Sequence, residues 1–220
     1  MCKPIVKKSK LMIVLIALSY LCCSMLLAAQ EDDGYRSIFN GQDFTGWLGG
    51  THGYKIENGS LVCQSNKNIM TVKKYTNFIL RFEFALEAGA NNGIALRSPL
   101  KATPYNMMEI QVLDNSSPKY SKLKPYQYHG SAYGWSAAKK GALKAVGEWN
   151  EQEIHVLDSI IKITLNGKLI LDVDLDTIKP NLSGKHKGAW NETGHLGLLG
   201  HGKGVRFRNL RIKEIGNDSR

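Results

Sequence analysis

The chain has 220 residues and a formal charge of +10, from 29 Lys and Arg against 19 Asp and Glu. Its basic residues lie in short pairs such as Lys73-Lys74 and Lys139-Lys140, without the dense tract or aromatic-basic motif of a nucleic-acid module, so no nucleic-acid partner is expected. Three of its four cysteines fall within the first 23 residues, which leaves Cys63 alone and excludes a disulfide framework downstream.

Lys3, Lys7, Lys8 and Lys10 precede an apolar run from Leu11 to Leu27, and Ala28-Ala29-Gln30 follows. A charged n-region, an apolar h-region and a small-residue cleavage site make residues 1–29 a signal peptide, so the protein is expected to be exported to the periplasm or the outside. Its loss removes four basic residues and no acidic one, lowering the formal charge from +10 to +6. Cys22 and Cys23 raise lipoprotein anchoring as an alternative, but Ser19-Tyr20-Leu21 lacks the small residue expected before a lipidated cysteine. An uncleaved anchor is a third option, because the run approaches the length that spans a bilayer. With cleavage near Ala29, no stable membrane insertion is expected, and residues 30–220 form one domain large enough to bury its own core.

Cys63, in Ser60-Leu61-Val62-Cys63-Gln64, reads as a small buried strand residue. Asn77 to Leu86 alternates Phe78, Leu80, Phe82 and Phe84 against Ile79, Arg81 and Glu83, the period of a strand. Ile94 to Arg97 follows, with Arg97 on its polar face. In Met107 to Asp114, Met108, Ile110 and Val112 point to a core while Glu109 and Gln111 point away, and a bulge after Gln111 would return Asp114 to their face. Two carboxylates and an amide along one face suit a carbohydrate-processing groove; a half-buried strand with wet polar residues is the plainer reading.

Further strands are predicted at Gln152 to Leu157, Ile160 to Leu165, Lys168 to Val173, His195 to Leu199 and Val205 to Lys213. Asn166-Gly167 marks a type I′ hairpin. Short strands with one apolar and one polar face define an all-β, two-sheet jelly-roll sandwich. Asn115 to Gly147 and Asp176 to Thr193 are long loops carrying exposed-type aromatics, His129, Tyr133, Trp135 and Trp190 among them. Flat aromatic faces stack on pyranose C–H faces, although rings of this kind also cap the open edge of a sandwich.

A set of short motifs spans nearly the whole mature chain. Ser37-Ile38-Phe39-Asn40-Gly41 and Gly46-Trp47 come first, then Gly89-Ala90-Asn91-Asn92-Gly93-Ile94 with Arg97, and Glu109-Ile110-Gln111-Val112-Leu113-Asp114. Gly130-Ser131-Ala132-Tyr133-Gly134, Gly147-Glu148-Trp149-Asn150, Leu165-Asn166-Gly167, Gly200-His201-Gly202 and Phe207-Arg208-Asn209 complete it. In this order they resemble the 3-keto-disaccharide hydrolase domain family, with Asn92 where Ser is commoner and Leu199-Gly200-His201 in place of Leu-Gln-x-His. The resemblance implies a concanavalin A-like jelly roll acting on glycosides whose C3 hydroxyl has been oxidised.

A C3 ketone acidifies the C2 proton, so a base can form an enolate that expels the C1 substituent, with or without later hydration. Glu109 and His201 are the candidate base and acid, in an order the sequence leaves open. Arg97 is a candidate for enolate stabilisation; Gln111, Asn91, Asn92, Asp114, Tyr133 and His129 are candidates for binding an oligosaccharide or glycoside. Glu109-x-Gln111-x-x-Asp114 also echoes the Glu-x-Asp-x-x-Glu strand of retaining β-glucanases, and a non-catalytic carbohydrate-binding module is the third alternative. No cofactor is required. Asp172-x-Asp174-x-Asp176 opens like a calcium loop but has Thr177 in place of Gly, which favours a strand end, while a structural calcium on loop carbonyls stays open.

Overall fold

The computed structural model describes residues 34–179 and 187–216, so the expected signal peptide lies outside the described residues. Among the described residues thirteen strands run in chain order: β1 (Arg36–Ser37), β2 (Trp47–Gly49), β3 (Tyr54–Glu57), β4 (Ser60–Cys63), β5 (Asn68–Tyr75), β6 (Phe78–Leu86), β7 (Asn91–Ser98) and β8 (Met108–Leu113). β9 (Trp149–Leu157), β10 (Ile160–Leu165), β11 (Lys168–Asp174), β12 (Gly194–Gly200) and β13 (Val205–Glu214) complete them. They form an eight-stranded sheet, β11-β10-β9-β6-β13-β4-β3 with β1 paired to β13, and a five-stranded sheet, β2-β5-β12-β7-β8. All pairings are antiparallel, and the two sheets make a jelly-roll sandwich. Among the described residues no helix is long and apolar enough to cross a membrane.

The alternation of β6 decides which residues build the core. Phe78, Leu80, Phe82 and Phe84 are buried between the sheets, against Ile94, Ile110, Ile154 and Phe207. Fully burying a side chain of this size stabilises by roughly 1.5–3 kcal/mol, so this inter-sheet layer is the main stabilising feature. Asn58-Gly59 and Asn166-Gly167 join adjacent strands with φ of 49° and 70°, and 49° and 77°. Both central residues of each turn have positive φ, as a type I′ hairpin requires.

β8 is the free edge of the five-stranded sheet's strand order, and the long loop after it covers that edge. Ala132 bridges Ile110, while Gln111 N–H donates to Ser131 O (3.1 Å), Gly130 N–H to Gln111 O (2.8 Å) and Tyr133 N–H to Glu109 O (2.9 Å). The loop then crosses to the other sheet, where Lys139 N–H donates to Ile170 O (2.8 Å). The expected bulge after Gln111 does not occur: β7 and β8 pair without interruption from Leu96↔Met108 to Asn91↔Leu113, so Asp114 lies past the strand end. Asp172 pairs with Lys162 (3.3 Å), and Asp174 accepts from Ser159 Oγ (2.7 Å) and Asp176 N–H (3.0 Å), a strand end.

Candidate active site

Register places chemistry on the outer face of the five-stranded sheet. One row across the strands reads Leu48, Met70, Gly197, Ala95, Glu109; the next reads Asn68, Leu199, Gly93, Gln111. Directly paired residues share a face, so both rows point away from Ile69, Leu198, Ile94 and Ile110, which fill the core. The tethered loop extends the first row, because Tyr133 lies beside Glu109 on the far side of β8.

Two glycines flatten this face. A methyl on Gly93 would run into the Glu109 carboxylate, with Cγ and Cδ at 2.9 and 2.8 Å and Oε1 nearer still; the missing Cβ is the seat on which Glu109 lies. Gly197 does the same for the Met70 thioether. Met70, Ala95, Met107 and Leu199 form a small apolar cluster on this side, so Glu109, opposite Ala95, has an apolar border.

Its other border is polar. His201 Nε2 stands 3.8 Å from Glu109 Oε1, too long for a hydrogen bond and close enough for both groups to meet one ligand. The Glu109 side chain is 13% exposed and that of His201 49%. The turn carrying His201 is fixed from beneath: Gly200 packs on the carbonyls of Ser65 and Lys67 so closely that a Cβ has no room, and Gly202 N–H donates to Ser65 O (3.4 Å). Gln111 Nε2 donates to Asn91 Oδ1 (3.0 Å). One amide donating to the other leaves one NH2 and one C=O for a ligand, whichever way the two are turned. Tyr133 Oη accepts from Gln127 Nε2 (2.7 Å).

Glu109, His201, Gln111, Asn91 and Tyr133 therefore come together, and four other candidates do not. Asn92 is opposite Val112 on the core side, fully buried, with its Oδ1 accepting from Gly93 N–H (2.9 Å). Arg97 turns away from the outer face. At φ 47° its guanidinium donates to Thr76 O (2.7 Å), Asp158 O (2.7 Å) and Asn77 Oδ1 (2.8 Å), which makes it a clamp between chain segments.

Asp114 organises the loop start, accepting from Gly89 N–H (2.8 Å), Ser116 N–H (2.9 Å) and Ser116 Oγ (2.6 Å). Burial pushes its carboxyl up, but the hydrogen bonds from Ser116 and from the Gly89, Ser116 and Ser117 amides outweigh that and hold it below the ordinary range. Five residues beyond Glu109 on an extended chain, it lies about 16 Å away, whereas the two carboxylates of a glycosidase sit roughly 5–9.5 Å apart.

His129 is drawn between the sheets and stacks on Phe84 at 5.0 Å. Leu113 N–H donates to its Nδ1 (3.3 Å), so the ring proton is on Nε2, facing Gln152 Oε1 at 2.9 Å. Burial lowers its pKa to about 4, against a small opposing effect of Gln152, and the ring is neutral. No group of three or more His, Cys, Asp or Glu among the described residues is placed to hold a metal ion. Sequence reasoning missed the role of Gly93 as the seat of Glu109; a glycine inside a strand pattern is the signal for such a close approach.

The antiparallel jelly roll thus carries a carboxylate, an imidazole and two amides on one side of its five-stranded sheet. Residues 34–213 match the 3-keto-alpha-glucoside-1,2-lyase-like domain, and the chain belongs to that family. It is 26% identical over 256 residues to the 3-keto-disaccharide hydrolase of Bacteroides thetaiotaomicron, covering 91% of this chain and 87% of the relative. The crystal structure of a proposed glycosyl hydrolase from Parabacteroides distasonis superposes with a TM-score of 0.74 at 27% identity, covering 84% of this chain and 95% of that one. The β-glucanase of Bacillus licheniformis shares the fold, with a TM-score of 0.53 at 11% identity over 84% of this chain and all of its own.

Proposed function

We propose that the protein is an exported enzyme that cleaves the glycosidic bond of 3-keto-glycosides, 3-keto-disaccharides included, by removing the C2 proton and eliminating the C1 substituent. The observation that carries this reading is the Glu109–His201 pair, a carboxylate and an imidazole 3.8 Å apart on one sheet face. C2–H and the C1 leaving oxygen are borne by adjacent ring carbons, so the reaction asks for a base and an acid side by side.

Glu109 takes the C2 proton as its carboxylate, and the electron pair of that bond becomes the C2–C3 enolate. Collapse of the enolate forms the C1–C2 double bond and expels the leaving oxygen, which His201 protonates. The NH2 and the C=O that the Asn91–Gln111 pair leaves free hold the sugar, and the NH2 faces the charge that develops on oxygen. Water adding across the double bond completes net hydrolysis. Direct hydrolysis of an unoxidised glycoside by two carboxylates is not favoured, because Asp114 lies about 16 Å along the chain and is held by its own loop.

The test is leaving-group release from matched 3-keto and unoxidised glucosides. Turnover of the keto substrate alone, abolished in Glu109→Gln and His201→Ala, is the expected result. Turnover of the unoxidised glucoside refutes the elimination reading, and sugar affinity without turnover of either makes the protein a binding module.

A further inference from the structure

Resting on that reading of Glu109, we infer that Trp190 is the platform of a leaving-group subsite that takes a flat ring with an apolar face, whether an aryl group or a second pyranose. Large apolar side chains are exposed at few places in the described residues, and three of them, Leu100 (52%), Tyr105 (55%) and Trp190 (50%), belong to two segments held against each other.

The hold is specific. Gly188 N–H donates to Tyr105 O (3.2 Å), and Gly188 lies on the Asn106–Met107 peptide so closely that a Cβ has no room. The Asn191 Nδ2 amide donates to Arg97 O and Asn106 O, both at 2.9 Å. Trp190 itself packs at a steep angle on the buried Trp135, with ring centroids 4.8 Å apart and planes at 81°. A half-exposed indole is thus fixed in advance, so a ring stacking on it costs little ordering entropy.

Its position fits the reaction. The peptide on which its turn rests leads straight into β8, and Met107 and Glu109 are two residues, about 7 Å, apart along the strand. That is about the length of one ring, so the turn bearing the indole rests one ring's length along the strand from Glu109. Trp135 follows Tyr133, whose N–H is hydrogen-bonded to Glu109 O, so the platform is tied to the catalytic strand from both sides. With amides around the reacting sugar and an indole beyond it, the substrate is polar at one end and apolar-faced at the other.

The experiment compares kcat/KM for 3-keto-glucosides bearing methyl, phenyl or glucosyl leaving groups. In Trp190→Ala the phenyl-to-methyl and glucosyl-to-methyl ratios should fall about five- to tenfold relative to the unaltered enzyme, and Trp190→Phe should restore most of it. A fall with phenyl alone assigns the subsite to aryl groups, and a fall with glucosyl alone to sugars. Calorimetric affinities of the same ligands in Glu109→Gln, with and without Trp190→Ala, decide the platform independently of turnover. Unchanged ratios or affinities overturn the subsite; failure of the unaltered enzyme to turn over any keto substrate overturns the role of Glu109 instead.

Discussion

Gly93→Ala is the sharpest perturbation of the seat on which Glu109 lies. The added methyl would stand 2.8 Å from Glu109 Cδ, against 3.4 Å for ordinary contact, so the carboxyl carbon must move by at least about 0.6 Å and its nearer oxygen by more. Displacements approaching 1 Å cost about 100-fold in rate, close to 2.7 kcal/mol of transition-state stabilisation. Stability should change by less than about 1 kcal/mol, because the clash is with a side chain on the outer face and alanine stiffens the unfolded chain. The assay is kcat/KM on a 3-keto-glucoside alongside thermal melting. An alanine variant with undiminished kcat/KM would refute the placement of Glu109 at the reacting atoms, and one that unfolds would refute the view of Gly93 as a seat rather than a packing element.

Two further substitutions report on residues the structure moves out of the site. His129 has a folded pKa of about 4 against an ordinary 6.5, so the unfolded chain takes up the proton first and stability falls as pH drops through that window, by up to about 3 kcal/mol. Denaturant melts at pH 7 and pH 5 should differ accordingly, and His129→Gln should flatten the difference; equal stability at both pH values in the unaltered protein contradicts the buried neutral ring. Arg97→Met removes a guanidinium donating to Thr76 O, Asp158 O and Asn77 Oδ1, so a loss of about 2–4 kcal/mol of stability is expected with kcat/KM of the folded fraction within threefold. A 100-fold loss of kcat/KM in a protein melting normally would return Arg97 to the reaction.

Alternation in β6 and in Met108 to Val112 was enough to place the core, the outer positions of Glu109 and Gln111, and the jelly-roll class, since parity on a strand fixes a face. The Asn166-Gly167 hairpin was legible from turn chemistry. Trp47–Gly49 and Tyr54–Glu57 are too short to display a period, so those edge strands left no trace in the pattern. The misplaced candidates share a cause, which is that their positions depend on partners distant in sequence. Asn91 and Asn92 look equivalent until pairing with Leu113 and Val112 puts one outside and the other inside. Arg97 leaves its expected face through a positive φ that an arginine does not announce, and His129 is swallowed by a loop closing a sheet edge. His201 reached Glu109 through the glycine contacts beneath its turn, which the motif carried without revealing why.

The central claim is that cleavage begins with proton removal from C2 by Glu109. The most direct measurement is the rate of leaving-group release from a 3-keto-glucoside carrying deuterium at C2, with the unsaturated sugar followed in the same reaction. A primary isotope effect on kcat/KM is expected, with an unsaturated product that forms before any hydrated one. Turnover with no isotope effect, and a hydrated sugar as the first product, would contradict it.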